Sequence, residues 1–146
     1  MTVEFVLGNA PDDCIAVEVL RLEHPGTEGH DAEWLVCTAT LVAGGFRAAI
    51  TGSLWASDFR YLREGLERLY RELAGSAEIK ALEAWFDLTV RCLPNGALQA
   101  RVRVADPLQF DRELTADLRD LDQSHLPSAI EQLRAIEGAF PPPAHR

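Results

Sequence analysis

The chain has 146 residues, of which 47% are hydrophobic and 25% charged, a composition typical of one soluble globular domain. Its 23 acidic and 14 basic side chains give a formal net charge of −9, which repels nucleic acid and anionic membranes. A cationic partner is one interpretation of this charge, and simple solubility is the other. No apolar run reaches the roughly 20 residues of a membrane span, and no basic segment followed by an apolar stretch begins the chain, so we expect a cytoplasmic protein.

The first half of the sequence predicts four strands and then a helix. Period-two alternation of apolar and polar residues predicts strands at residues 3–8, 14–22, 34–42 and 46–54. Residues 23–30 contain one proline and two glycines and predict a loop. Gly44-Gly45 predicts a hairpin turn, because glycine reaches the positive φ that such turns need. Asp31 and Glu33 lead into the third strand, where we expect their side chains to share one face.

The first helix is predicted over residues 57–74, where apolar residues recur every three or four positions. Ser57 is a good N-cap, and Asp58 suits the positive end of the helix. On the opposite face arginines and glutamates pair at a spacing of four, so their charges nearly cancel. We interpret this face as solvated surface and not as a contact for nucleic acid.

The second half predicts four more strands and a second helix. The strands are expected at residues 78–82, 86–92, 98–104 and 110–118, with a turn at Asn95-Gly96. The second helix is predicted over residues 124–138, and Pro127 falls in its first turn, where a missing N–H does no harm. On the last predicted strand, acidic side chains at alternate positions are expected to face water: Asp111, Glu113 and Asp117.

These elements predict an α+β protein with about eight mainly antiparallel strands and two amphipathic helices packed on the sheet. The order of strands, hairpin and helix occurs twice. The first occurrence is 33–54 with the helix 57–74, and the second is 85–118 with the helix 124–138. Two strand-hairpin-helix repeats are therefore one interpretation, and chance alternation of common elements is the other. We expect one domain over residues 1–141 and a flexible C-terminal tail over residues 142–146.

The sequence contains no motif that carries catalysis or holds a cofactor. It has no glycine-rich phosphate loop, no GxSxG elbow and no HExxH pair. Cys14, Cys37 and Cys92 lack the spacing of a zinc site and are interpreted as buried free thiols. His24 and His30 lie in an acidic loop that could bind a metal, but its glycines and proline favour a solvated loop. The patterns point away from an enzyme, a cofactor and a metal.

Several landmarks resemble the WapI-type immunity proteins of bacteria. The segment 31–35, Asp-Ala-Glu-Trp-Leu, resembles the DANWL strand start of that family, with Glu33 where Asn is usual. A glycine-containing hairpin then leads to a helix with Phe59, Leu62 and Leu66 in the spacing of the family. Further landmarks follow in the same order, at Leu82-Glu83-Ala84-Trp85-Phe86, at the hairpin through Asn95-Gly96, at residues 121–126 and at Phe140-Pro141. The resemblance covers residues 14–141.

The resemblance implies a protein without catalytic activity that binds a cognate toxin domain inside the producing cell and blocks it. Many such toxins are nucleases and therefore basic, which agrees with the acidic composition of this chain. The family offers no toxin-contact motif that can be carried over. We therefore predict contact through the acidic rows, which would steer a cationic protein: Asp31, Glu33, Asp111, Glu113 and Asp117.

Two other classes of function remain open from the sequence. A small enzyme, or a protein that binds sugars or other small molecules, could use paired carboxylates if they were opposed across a cleft. A homo-oligomeric structural module without a ligand is the third hypothesis.

Overall fold

A computed structural model describes residues 3–143 of the chain. The described chain contains eight strands and two α-helices, with short 3₁₀ turns at Gly29–Glu33 and Gln123–His125. The elements are, in chain order, β1 (Val3–Asn9), β2 (Asp13–Leu22), β3 (Trp34–Ala43), β4 (Phe46–Trp55), α1 (Ala56–Glu72), β5 (Ser76–Lys80), β6 (Phe86–Cys92), β7 (Ala97–Ala105), β8 (Glu113–Asp122) and α2 (Leu126–Ala139).

The eight strands form two antiparallel sheets of four. Sheet A has the order β1-β2-β3-β4 and sheet B the order β5-β6-β7-β8, so each sheet is a simple meander. Each meander is followed directly by a helix, α1 after sheet A and α2 after sheet B. The α+β class, the eight antiparallel strands and the two similar halves predicted from the sequence are confirmed. The single packed sheet of the prediction is replaced by two sheets.

One hydrophobic core joins the two halves. Residues that alternate inward along the strands form this core, such as the buried Leu35, Cys37, Ala39 and Leu41 on β3, because successive side chains of a strand point to opposite faces. The core cluster includes residues from both sheets and both helices. Trp85, just before β6, is 1% exposed and donates its indole N–H to the carbonyl of Ser53 on β4, at 2.9 Å.

Each helix packs against the first strand of the other half. α1 lies on β5, and α2 lies on β1 and on α1. The approach of α1 to β5 requires Gly65, where an added Cβ would lie 2.7 Å from the Cβ of Ala77. On α2, Gln132 accepts the backbone N–H of Val6 at 2.7 Å and so satisfies a donor of edge strand β1. Because each helix packs against the other half, the two halves share one core.

Two strand predictions are shifted along the chain. β5 begins and ends two residues earlier than predicted, and β8 spans 113–122 where 110–118 was expected. The start of β8 is delayed because Asp106 closes a turn. Its backbone N–H bonds to the carbonyl of Arg112 at 2.9 Å, and its carboxylate accepts the N–H of Leu108 at 2.9 Å. Phe110 and Asp111 therefore lie in this turn, before the strand.

The segment before β3 is also different from the prediction. Asp31 and Glu33 lie on the 3₁₀ turn Gly29–Glu33 and not on a strand, so the expectation that they share a strand face is wrong. Of the predicted tail, residues 144–146 lie outside the described part of the chain. The carbonyl of Pro143 accepts a hydrogen bond from the guanidinium of Arg60 on α1.

Candidate protein-binding surfaces

The predicted acidic row on β8 is exposed, but arginines of the neighbouring strand compensate its charge. Arg101 on β7 donates two hydrogen bonds to Asp117, at 3.0 and 3.1 Å. Arg103 bonds to Glu113 and reaches Asp87 at 3.3 Å. Hydrogen bonding by Arg101 lowers the pKa of Asp117, so this carboxylate is ionised and already paired. The outward face of sheet B is therefore a set of mutually neutralised ion pairs.

The other three predicted residues lie in separate places. Asp111 is exposed in the turn before β8, outside the row that Glu113 and Asp117 form. Asp31 is exposed, and its carboxylate has no hydrogen-bond or ion-pair partner among residues 3–143. Glu33 is only 7% exposed, and its Oε1 accepts the backbone N–H of Ser57 at 3.1 Å. The structure thus brings together only Glu113 and Asp117.

Two carboxylates cap the N-terminus of α1. Glu33 accepts the N–H of Ser57, and Asp58 Oδ2 accepts the N–H of Trp55 at 2.9 Å. These acceptors satisfy backbone donors that lack a partner within the helix, and they replace the Ser57 side-chain cap predicted from the sequence. Burial, with a further contribution from the charge of Glu33, raises the pKa of Asp58 to about 6, although the hydrogen bond from Trp55 acts in the opposite direction.

This raised pKa predicts a pH-dependent stability. The folded state binds the Asp58 proton more tightly than the unfolded chain, so the stabilisation is complete below about pH 4 and is lost as the pH rises through 6. Asp58→Asn keeps an acceptor for Trp55 and cannot ionise. Relative to wild type, we expect it to gain about 1–3 kcal/mol in free energy of unfolding between pH 4 and 7.5, measured by urea denaturation across that range.

Asp117→Asn is the control for this prediction, because the folded-state pKa of Asp117 is lowered and not raised. Its stability relative to wild type should fall slightly as the pH rises to about 4–5 and stay level from there to pH 7.5, with a small amplitude because the pair with Arg101 is exposed. A difference between wild type and Asp58→Asn that stays constant across the pH range would contradict the assignment to Asp58.

The excess of negative charge is concentrated in the first part of the chain. Residues 1–58 contain nine acidic side chains and two arginines, a net charge of −7 out of the total of −9. Residues 59–146 contain fourteen acidic and twelve basic side chains and are nearly neutral. This asymmetry was missed by considering rows of carboxylates one strand at a time. Counting charges separately for each half would have found it.

The outward face of sheet A is uncharged along its centre. We call this surface the A face and define it by the outward residues of β3 and β4, which are opposite each other in register, with Arg47 at one end: Trp34, Val36, Thr38, Thr40, Val42, Arg47, Ala49, Thr51, Ser53 and Trp55. The hydroxyls of Thr38 and Thr51 bond to each other across the strands at 2.8 Å. At one end the rings of Trp34 and Trp55 pack with centroids 5.1 Å apart.

Carboxylates lie at the margins of the A face. Glu4 and Glu18 point outward on the neighbouring strands β1 and β2, where they are opposite each other in register. Glu23 is next to the end of β4, where it accepts the hydroxyl of Ser53 at 2.7 Å. Glu28 and Asp31 are exposed in the loop that leads to Trp34. The A face therefore combines an uncharged centre with a margin on which these carboxylates outnumber two arginines, Arg21 opposite Val36 and Arg47 opposite Val42.

A groove between the end of sheet A and β8 holds the two carboxylates most relevant to the enzyme hypothesis. Asp13 and Asp117 both line it. Asp13 accepts the backbone N–H of Arg119 at 2.7 Å, and Asp117 is bound by Arg101. Both carboxylates act as structural acceptors, so the groove offers no specific observation in favour of acid–base chemistry.

The histidines of the loop form two separate contacts. His24 Nε2 lies 3.5 Å from Glu23, and His30 Nδ1 lies 3.8 Å from Glu33. Within residues 3–143, no three side chains of the metal-binding types His, Cys, Asp and Glu converge as a metal site requires. No helix in the same range has the length and apolarity needed to cross a membrane.

These observations define an acidic α+β protein of two four-stranded sheets, one of which presents a face with an uncharged centre. The chain belongs to the WapI-like immunity protein family, because the model of the family described as "Immunity protein WapI-like family" matches residues 6–141. This confirms the resemblance and extends it toward the N-terminus. Membership implies a protein partner. Searches of curated proteins and of solved structures found no match.

Proposed function

We propose that this protein binds a cognate toxin domain in the cytoplasm of the producing cell and neutralises it without catalysis. The observation that carries the proposal is the family match over residues 6–141, nearly the whole chain. The concentration of negative charge in residues 1–58 supports a basic partner, because complementary charge accelerates encounter and suppresses wrong partners. Among the predicted contact residues, Asp31 and Asp111 offer exposed carboxylates, whereas Glu113 and Asp117 would first have to leave their arginines.

Co-expression tests this function directly. The toxin domain encoded beside this gene is expressed in a bacterial host with and without this protein. We expect the toxin domain alone to stop growth and the pair to grow normally. Purified proteins should form a one-to-one complex whose affinity weakens as salt rises, because exposed charges are screened. Growth arrest that persists despite ample expression of this protein, with no complex on gel filtration, would refute the proposal.

A further inference from the structure

We infer that the A face is the docking surface for the toxin domain, and that the part of the toxin that docks there is basic. The inference rests on the proposed function and goes further by naming the surface and the chemistry of its partner. It replaces a contact through the β8 row of sheet B with a contact on sheet A, centred on β3 and β4.

The first argument is the cost of removing water. Docking on the outward face of sheet B would bury Arg101 and Arg103 with their carboxylate partners, and desolvation of such pairs offsets much of their attraction. The centre of the A face carries only uncharged Val, Thr, Ala and Ser side chains within the described residues, so burying it costs little. The Thr38 and Thr51 hydroxyls already satisfy each other.

The second argument is charge complementarity. The carboxylates of Glu4, Glu18 and Glu23 border the A face, and the exposed Asp31 lies beyond its Trp34 end. Two arginines also lie there, Arg21 on β2 opposite Val36 and Arg47 on β4 opposite Val42, so carboxylates outnumber basic side chains at the margin. A basic protein surface would place its cations over this margin, and an acidic surface or nucleic acid would be repelled. The margin therefore selects a cationic partner.

The third argument is the position of the aromatic pair. Trp34 and Trp55 are half-buried at the end of the A face nearest the acidic loop, and the ring of His30 stacks on Trp55 with centroids 6.4 Å apart. Tryptophan is enriched among the residues that dominate binding energy at protein interfaces. An indole beside carboxylates also suits a partner's Arg or Lys, because a cation is attracted both to the ring face and to the acid.

Threonine-to-lysine substitutions on the two sheets test the surface. Thr51→Lys places a cation at the centre of the A face, and Thr115→Lys makes the same change at an exposed outward position of β8. The probe is the purified toxin domain encoded beside this gene, with affinity measured by calorimetry. We expect Thr51→Lys to weaken binding about tenfold or more, and Thr115→Lys to change it by less than about twofold.

A third variant, Thr51→Glu, separates charge from bulk. It adds a side chain similar in size to that of Thr51→Lys but of opposite charge, so a basic partner should bind it much better than Thr51→Lys. The difference in affinity between the two variants should shrink at high salt. Thermal unfolding checks that all three variants are folded. Equal losses for Thr51→Lys and Thr51→Glu would overturn the basic chemistry of the partner.

The remaining outcomes distinguish the surface from the function. If the wild-type protein binds the toxin domain and Thr51→Lys binds equally well, the inference that the A face is the docking surface is overturned and the proposed function stands. If the wild-type protein does not bind or neutralise it, the proposed function fails as well. Light scattering tests whether a second copy of this chain binds at sheet A instead of the toxin domain, since β4 is an edge strand with which a second copy could pair. A dimer that Thr51→Lys dissociates would assign the face to self-association and overturn the inference.

Discussion

Replacing Gly52 with alanine is expected to lower the free energy of unfolding by at least about 2 kcal/mol. Gly52 lies on β4 directly against the indole of Trp85, and an added Cβ would be 2.4 Å from Cε2 and 2.5 Å from Cδ2 of that ring. The indole cannot move aside, because it is 1% exposed and its N–H is bonded to the carbonyl of Ser53. Gly52→Ala must therefore displace sheet A from Trp85 and open the core.

The same change at Gly138 provides the control. Gly138 is exposed on α2, and no atom lies within 4 Å of the position that its Cβ would occupy. Gly138→Ala should raise the free energy of unfolding by up to about 1 kcal/mol, because alanine is the better helix former. In a Trp85→Phe background the cost of Gly52→Ala should fall by about 1 kcal/mol or more, since the smaller ring leaves room. Equal stability of Gly52→Ala and wild type in urea denaturation would contradict the tight contact.

Replacing Arg63 with methionine is expected to cost about 2–3 kcal/mol, because this arginine holds the two helices together. Its guanidinium bonds to Glu137 on α2, through Nε and through Nη2 at 3.1 Å, and to Glu67 on α1 at 3.1 Å. The side chains of Arg63 and Glu137 are 20% and 15% exposed. Methionine keeps the apolar packing, but it leaves Glu137 with no cation and Glu67 with Arg134 alone.

The measurement is chemical denaturation of Arg63→Met beside Arg101→Met. Arg101 also donates two hydrogen bonds to a carboxylate, that of Asp117, but the side chain of Arg101 is 65% exposed and that of Asp117 is 46% exposed. Arg101→Met should leave the free energy of unfolding unchanged within the error of the measurement, because exposed ion pairs contribute little. Equal losses for the two variants would show that partial burial does not strengthen the interhelical contacts.

Much of the fold follows from local patterns in the sequence. β3, β4, β6 and β7 were predicted to within a residue or two, because their residues alternate cleanly and glycine marks the turns between them. β8 was displaced because the alternation of residues 110–112 continues into a turn closed by Asp106, and alternation alone does not reveal such a turn. The division into two sheets was not predicted, since strand patterns do not encode which faces pack together.

For the candidate binding surface, the sequence predicted only the sign of the charge. Net charge and composition indicated a basic protein partner, and the family match supports a protein partner. The sequence did not reveal which of the predicted carboxylates are compensated, because exposure on a strand does not show what lies on the neighbouring strand. Asp117 meets Arg101 across 16 residues of sequence, and Glu33 meets the backbone of Ser57 across 24.

The sequence by itself determined most of the secondary structure, the acidic character and the family of this protein, because each depends on residue order or on simple counts. Only the tertiary structure decided which charges are compensated. The register of β7 against β8 brings arginines to the acidic row of sheet B, and the 3₁₀ turn before β3 directs Glu33 to the start of α1. The same packing leaves the A face uncharged at its centre, and at its margin carboxylates outnumber the two arginines of the neighbouring strands, Arg21 and Arg47.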